Sequence, residues 1–258
     1  MQHISALFVH LGVPLAPEKV VGPSPTLTFL GIEIDPHSHL IRLPPDKFSA
    51  LTALLTAWGR RARCTKRELL SLIGHLSFAA KVVKPGRLFL RRLIDLASSV
   101  PCLHHHLHLT ESARADILWW LEFLPAWNGV SLIQAPVVSS IDLHLFTDAS
   151  SLGIGGVFGD RWFSLPLSSF QSVLWFPFDQ VFDINFWELL ALLTAVFTWL
   201  PSFRDRQVAI HTDNLALVYV WSRGSRSPLL MRLIRALFLR TAQSNTNLLL
   251  PPAPYSWL

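Results

Sequence analysis

Two periodicities of apolar residues alternate along this chain, and each change of period marks a change of element. Leu27 to Ile34 alternates bulky apolar residues with small or polar ones. Asp35-Pro36-His37-Ser38-His39 then supplies turn chemistry and Leu40 to Leu43 resumes the alternation, which predicts a β-hairpin. Pro44-Pro45-Asp46 opens a helical stripe at Phe48, Leu51, Leu54, Leu55 and Trp58 that stops at Gly59. In Thr65-Lys66-Arg67-Glu68 the hydroxyl can accept from the Glu68 N–H while the Glu68 carboxylate reaches back. This capping box predicts a second helix, running to about Lys81. Pro85 suits the first turn of a third, with Leu88, Phe89, Arg92, Leu93 and Leu96 at helical spacing. After a His-rich connector, Thr110 is the expected N-cap of a helix through Leu124, and Val130 to Ser140 reads as a loop.

From Ile141 the period becomes two. Leu143 to Thr147, Gly155 to Phe158 and Arg161 to Leu165, separated by Gly-rich turns, predict a three-strand meander. A buried helix over 186–200, a strand from Val208 to Thr212 and a helix from Leu215 to Trp221 follow. A helix from Pro228 to about Gln243 carries the stripe Leu229, Leu230, Leu233, Ile234, Leu237 and Phe238. Leu248-Leu249-Leu250 can begin one more strand, before Pro251-Pro252-Ala253-Pro254. The order gives an α/β fold, a mixed sheet with helices, preceded by a small mainly helical unit with a β-hairpin.

Composition changes this picture in three respects. With 51% hydrophobic and 15% charged residues, a disordered tail or a fibrous repeat is excluded. The mean hydropathy of +0.39 raises the question of a membrane. The most apolar run, Leu189 to Leu200, is however short of the roughly 20 residues a spanning helix needs, so it reads as a core helix with no membrane partner. Two cysteines, Cys64 and Cys102, make no disulfide framework, and the N-terminus has no basic start followed by an apolar signal core. An intracellular site, nuclear or cytoplasmic, is expected.

Charge lies in blocks. From Arg42 to Arg92 twelve Lys or Arg stand against Asp46 and Glu68 only, the pattern of a polyanion-binding segment. Arg60, Arg61, Arg63, Lys66, Arg67, Lys81, Lys84 and Arg87 are its candidate phosphate contacts; a nuclear localisation patch is the other reading of the 60–67 cluster. From Asp142 to Asp213 the sign reverses, with eight acids against three Arg. After Asp213 there are five Arg and no acid. Arg223, Arg226, Arg232 and Arg235 either flank a substrate or form a solvated helix face.

Three acids stand where backbone geometry can unite them. Asp148 ends a predicted strand, Glu188 begins the buried helix and Asp213 ends another strand. Carboxylates gathered at a core edge repel one another and lose hydration, so they persist as anions mainly beside a cation. Hard Mg²⁺ or Mn²⁺ suits oxygen ligands. The plainer alternative makes Asp148 and Asp213 turn and N-cap residues and Glu188 a helix-dipole partner. His211 beside Asp213 is either a general base or a packed core histidine. Trp120, and with it Trp119, packs the core or stacks on bases. His104-His105-His106 with His108 reads as a solvated connector rather than a zinc site, because adjacent histidines seldom converge on one ion and no cysteine pair assists.

Phe146-Thr147-Asp148-Ala149-Ser150 with Gly153, Gly155 and Gly156, then Trp187-Glu188-Leu189-Leu190-Ala191-Leu192, then His211-Thr212-Asp213-Asn214, resembles the ribonuclease H domain of retroelement reverse transcriptases. Upstream, Leu11-Gly12-Val13-Pro14-Leu15-Ala16-Pro17-Glu18-Lys19, Phe29-Leu30-Gly31-Ile32-Glu33-Ile34-Asp35 and Ser71-Leu72-Ile73-Gly74-His75-Leu76 resemble the palm end and thumb of such polymerases. His104-His105-His106 and Trp119 to Leu124 extend the likeness, and the family most similar is that of DIRS-type, tyrosine-recombinase retrotransposons.

The resemblance implies a palm end and hairpin over 1–43, a basic helical thumb over 44–100, a connector with one helix over 101–140 and a ribonuclease H-like domain over 141–258, incomplete at its C-terminus. It implies two-metal hydrolysis of RNA in RNA/DNA hybrids, with Asp148 bridging two Mg²⁺ or Mn²⁺ ions and Glu188 and Asp213 completing their shells. Nucleic acid, as hybrid or template-primer duplex, is the expected partner, with no small-molecule cofactor. A polymerase also needs paired palm aspartates, which would precede residue 1, so DNA synthesis by this chain alone is not expected. A fourth carboxylate near the C-terminus of such domains has no counterpart after Leu250, so impaired cleavage is expected. The alternatives are a catalytically inactive nucleic-acid-binding remnant using the basic thumb, and a product without a selected function.

Overall fold

Helix starts in this protein are written in proline and hydroxyl chemistry, and the computed structural model, which describes residues 2–16, 21–131, 144–170, 183–204 and 206–249, places them accordingly. After α1 (Gln2–His10) come three short strands, β1 (Leu27–Phe29), β2 (Ile32–Asp35) and β3 (Leu40–Arg42), in an antiparallel meander. The single strand expected over 27–34 is split, because Leu30 and Gly31 both adopt positive φ (49° and 76°) and turn the chain between Phe29 and Ile32. The expected second turn forms. The Asp35 carboxylate accepts from the backbone N–H groups of His37 (3.0 Å) and Ser38 (3.1 Å).

Helix α2 (Pro45–Gly59) carries proline in its first turn and buries Leu51, Leu55 and Trp58. Strand β4 (Arg63–Thr65) leads into α3 (Lys66–Ala79), whose capping box is complete. Thr65 Oγ1 accepts from the Glu68 N–H, and Glu68 Oε2 accepts from the Thr65 N–H at 2.7 Å. The expected third helix is two pieces, a 3₁₀ segment over Lys84–Leu90 and α4 (Arg91–Ser98). The break falls at Phe89 (φ −92°, ψ 18°), whose ring is wholly buried against Trp119 at 3.7 Å between centroids. The connector contains an unexpected strand, β5 (His106–His108), paired antiparallel with β4. Helix α5 (Glu111–Ala126) starts at Thr110, whose hydroxyl accepts from the Ala113 N–H. Val130 and Ser131 form β6 against β3 rather than the start of a loop, and the rest of the expected loop lies outside the described residues.

The C-terminal half is one five-stranded sheet of order β11-β10-β7-β8-β9. It comprises β7 (His144–Ala149), β8 (Gly153–Phe158), β9 (Arg161–Pro166), β10 (Gln207–His211) and β11 (Asn247–Leu249). The meander β7-β8-β9 is antiparallel, while β10 runs parallel to both β7 and β11. Glycine suits β8 where it meets β9, since a Cβ on Gly153 would lie 2.7 Å from the Leu165 carbonyl oxygen and one on Gly156 2.6 Å from the Phe163 ring. Helix α6 (Ile184–Phe203) packs on β7 and β8. By length and composition it could cross a membrane, yet Leu189, Ala191, Leu192, Ala195, Val196 and Phe203 are fully covered by the rest of the chain. Helices α7 (Leu215–Arg223) and α8 (Pro228–Gln243) are capped by Asn214 and Ser227, whose side chains accept from Leu217 and Leu230. The other sheet face carries an exposed cross-strand row, Phe146, Val157 and Trp162.

One buried ion cluster ties the two halves together. Asp116 on α5 is fully buried and paired with Arg92 Nε of α4 at 3.2 Å and with the guanidinium of Arg235 on α8. Arg92 also donates to the Ser225 carbonyl, and the Trp119 indole donates to the Arg235 carbonyl. Arg235 is therefore neither a substrate-flanking nor a solvated residue. Burial raises the Asp116 carboxyl above its ordinary value, and the two guanidiniums oppose that rise. Asp116→Ala strands two half-buried cations and should cost about 3–5 kcal/mol in urea unfolding, whereas replacing Asp116, Arg92 and Arg235 together by Leu, Met and Met should recover most of it. A loss below about 1 kcal/mol for Asp116→Ala would show the cluster to be incidental.

Candidate active site

The parallel pairing of β7 and β10 sets the site. His211 lies opposite Phe146, so continuing that register places Asp213 level with Asp148 along the edge formed by the C-terminal ends of these two interior strands. Helix α6 enters beneath that edge, with Glu188 on its first turns. One carboxylate oxygen from each of Asp148, Glu188 and Asp213 lies within 4.8 Å of the others. Asp148 and Asp213 are exposed, and Glu188 is only 4% exposed. The alternative of Asp213 as an N-cap does not hold, because Asn214 caps α7 and leaves the Asp213 carboxylate to the cluster. Asn214 is itself held by Asn185 of α6, which accepts from its amide at 3.1 Å.

Glu188 bears the electrostatic burden of this arrangement. Desolvation first, then the charges of Asp148 and Asp213, push its carboxyl from 4.5 up to about 7, against a hydrogen bond from the Ala149 backbone that favours the anion. Its Oε2 is buried with no hydrogen-bond partner among the described residues. Three carboxylates with an oxygen each within 4.8 Å, one of them also carrying an orphaned buried oxygen, are a hard, anionic, oxygen-only donor set, and a divalent ion such as Mg²⁺ or Mn²⁺ fits it.

His211 is packed rather than poised. Its ring stacks on Phe146 (4.6 Å) and on His144 (4.7 Å), with Nε2 3.0 Å from His144 Nδ1, and burial lowers its pKa below the ordinary histidine value. Trp119 and Trp120 are both buried, so neither ring is free to stack on a base.

The basic candidates divide. Arg60, Arg63, Arg67, Lys81 and Arg87 are exposed, with Lys81 over the Phe78 ring. Arg61 is engaged by Glu68 at 3.0 Å and lies over Trp58. Lys66 is not free to meet a phosphate as expected, since its ammonium donates to the Val100 carbonyl at 2.6 Å and to that of Pro101 at 3.3 Å. The side chain of Lys84 lies outside the described residues. Reasoning from sequence did not find one cluster at all. Cys102, His104 and His105 bring their ligand atoms within 4.8 Å of one another, without His106 or His108. The signal available was the C-x-H-H spacing, obscured by the run of histidines.

Residues 139–240 match the RNase H-like domain found in reverse transcriptase. That match and the observed sheet give this region an RNase H-like fold. No curated protein matches the chain. Among solved structures, similar chains include the foamy viral protease-reverse transcriptase dRH in complex with double-stranded DNA. That pair is 13% identical with a TM-score of 0.40, over 91% of this chain and 40% of that one. The foamy viral protease-reverse transcriptase with an RNA/DNA hybrid gives 13% identity, TM-score 0.37 and coverages of 99% and 34%. Its complex with double-stranded DNA gives 14%, 0.38, 98% and 52%. This chain thus spans between a third and about half of those chains.

The raised Glu188 value has a measurable consequence. Without metal, the folded chain keeps a proton on Glu188 between pH 4.5 and about 7, where the unfolded chain has lost it. The stability linked to this group is therefore fully present below pH 4.5, falls by about 3 kcal/mol as pH rises to about 7 and is level above that. In urea unfolding with a chelator present, Glu188→Gln should lose this decline and be more stable than the parent at pH 8. A variant that is less stable there, with the same pH slope, would refute the electrostatic reading of the site.

Proposed function

We propose that this chain is a reverse-transcriptase segment whose RNase H-like region hydrolyses the RNA strand of RNA/DNA hybrids, with the basic helices gripping the duplex backbone. The observation that carries the reading is the convergence of Asp148, Glu188 and Asp213, one oxygen of each within 4.8 Å of the others, together with a buried Glu188 Oε2 that has no hydrogen-bond partner among the described residues. These three residues would hold divalent ions, Mg²⁺ or Mn²⁺. When bound, such ions activate water and stabilise the departing oxygen of a phosphodiester. The chain's own contribution is positional. The paired strand ends hold Asp148 and Asp213 side by side, and α6, locked in the core, holds Glu188 beneath them. The match over residues 139–240 supports the domain type.

Boundaries of 1–43 for a palm end and hairpin, 44–100 for a thumb, 101–140 for a connector and 141–258 for the nuclease unit belong to the same proposal. So does descent from a DIRS-type element, which the sequence motifs favour. Arg60, Arg63, Arg67, Lys81 and Arg87 are the proposed phosphate contacts, their exposure leaving them available to a polyanion. Because that exposed basic set precedes the matched region 139–240 in the chain, nucleic-acid binding without cleavage is the second reading. The full chain, a labelled RNA/DNA hybrid and Mg²⁺ or Mn²⁺ decide between them. Cleavage should fall on the order of 10²-fold or more in Asp148→Asn, while salt-sensitive binding of the hybrid persists. Binding without cleavage by the parent chain would establish the second reading, and equal cleavage by Asp148→Asn would remove the carboxylates from the reaction.

A further inference from the structure

A seven-residue connection between α4 and β5, residues 99–105, is pinned by its own backbone. Val100 and Pro101 carbonyls accept from the Lys66 ammonium, the Cys102 carbonyl from the His105 N–H at 3.2 Å, the Leu103 carbonyl from the Arg67 N–H at 2.9 Å and the His105 carbonyl from the Lys66 N–H at 3.0 Å. The last two contacts satisfy N–H groups of the first turn of α3 that no helix carbonyl can reach. The register of β5 on β4 then holds the turn's far end, with Thr65 opposite His106. From this fixed frame Cys102, His104 and His105 direct one sulfur and two ring nitrogens to a common point, all within 4.8 Å of one another. The two imidazoles meet edge to face at 5.2 Å, and no hydrogen bond or ion pair to a described residue engages these three side chains.

We infer that Cys102, His104 and His105 form a zinc site within this turn, which the backbone contacts already hold against the N-terminus of α3 beside the exposed basic residues. One thiolate and two imidazoles are a borderline-soft N/S set that selects Zn²⁺ over Mg²⁺, the opposite preference to that of the all-oxygen carboxylate cluster. Tetrahedral Zn²⁺ with bonds of about 2.3 Å to sulfur and about 2.0–2.1 Å to nitrogen needs ligand separations of about 3.3–3.6 Å. The ligand atoms start at most 4.8 Å apart and the Cys102 and His104 side chains are exposed, so closing the shell needs a contraction of no more than about 1.5 Å. Binding displaces the Cys102 thiol proton to solvent, and the fourth position on the exposed side is left for water. The site does not depend on hybrid cleavage.

Cobalt(II) serves as the spectroscopic probe, titrated into the full-length, reduced chain after chelator treatment. One equivalent should produce a thiolate-to-metal charge-transfer absorption that Zn²⁺ abolishes by displacement and that a large excess of Mg²⁺ leaves intact. The band should be unchanged in Glu188→Gln, lost in Cys102→Ser, and weakened in affinity by roughly tenfold or more in His104→Ala and in His105→Ala. Cys102 and His104 are exposed, so Cys102→Ser and His104→Ala should retain the parent's far-ultraviolet circular dichroism. Absence of a sulfur charge-transfer band would overturn the site. So would a band that survives Cys102→Ser, or one whose affinity is indifferent to both histidine substitutions.

Discussion

Glu188 is 4% exposed with two further carboxylates close enough to share an ion, and three bare anions in that position repel one another in a medium that screens them poorly. Without a cation the only relief is a proton, which is why burial and the two aspartates drive the Glu188 carboxyl to about 7. A fold that merely sought stability would place an apolar residue on that turn of α6. Retaining a glutamate whose Oε2 has no partner among the described residues makes the rest of the C-terminal half a scaffold for like charge.

That scaffold is rigid for identifiable reasons. Leu145, Val208, Ile210 and Leu189 are at or below 1% exposure, so neither strand nor helix can shift without opening the core. The parallel register of β7 and β10 fixes the spacing of the two aspartates, and Asn214 takes over the capping of α7 that Asp213 would otherwise supply. The buried Asp116 cluster extends the same order across the chain, since Arg92 comes from the basic half and Arg235 from the sheet-bearing half.

What the sequence disclosed was whatever is local or periodic. Thr65 and Glu68 are three residues apart and their capping box formed as spaced, Thr110 and Pro45 started their helices, and the carboxylates stood at element ends whose types were readable from period alone. What stayed hidden required partners distant in sequence or an unfavourable backbone. A leucine in the left-handed region at position 30 contradicts its own preference, so the alternation over 27–34 carries no sign of the turn there. The Asp116 cluster has no local signature, because one of the two arginines that neutralise it lies 119 residues away. Lys66 counted as a free cation until the turn carrying Val100 and Pro101 supplied carbonyls to hold it, and the same turn supplied Cys102 to two histidines read as solvated.

The central claim is that Asp148, Glu188 and Asp213 surround a divalent cation at a preset position. Anomalous diffraction from crystals soaked in Mn²⁺ tests it most directly. A peak at coordination distance from all three carboxylates is expected, and it should be absent from crystals of Asp148→Asn soaked alike. Full soaking with no anomalous density between these oxygens, or carboxylates turned apart toward separate solvent, would contradict it.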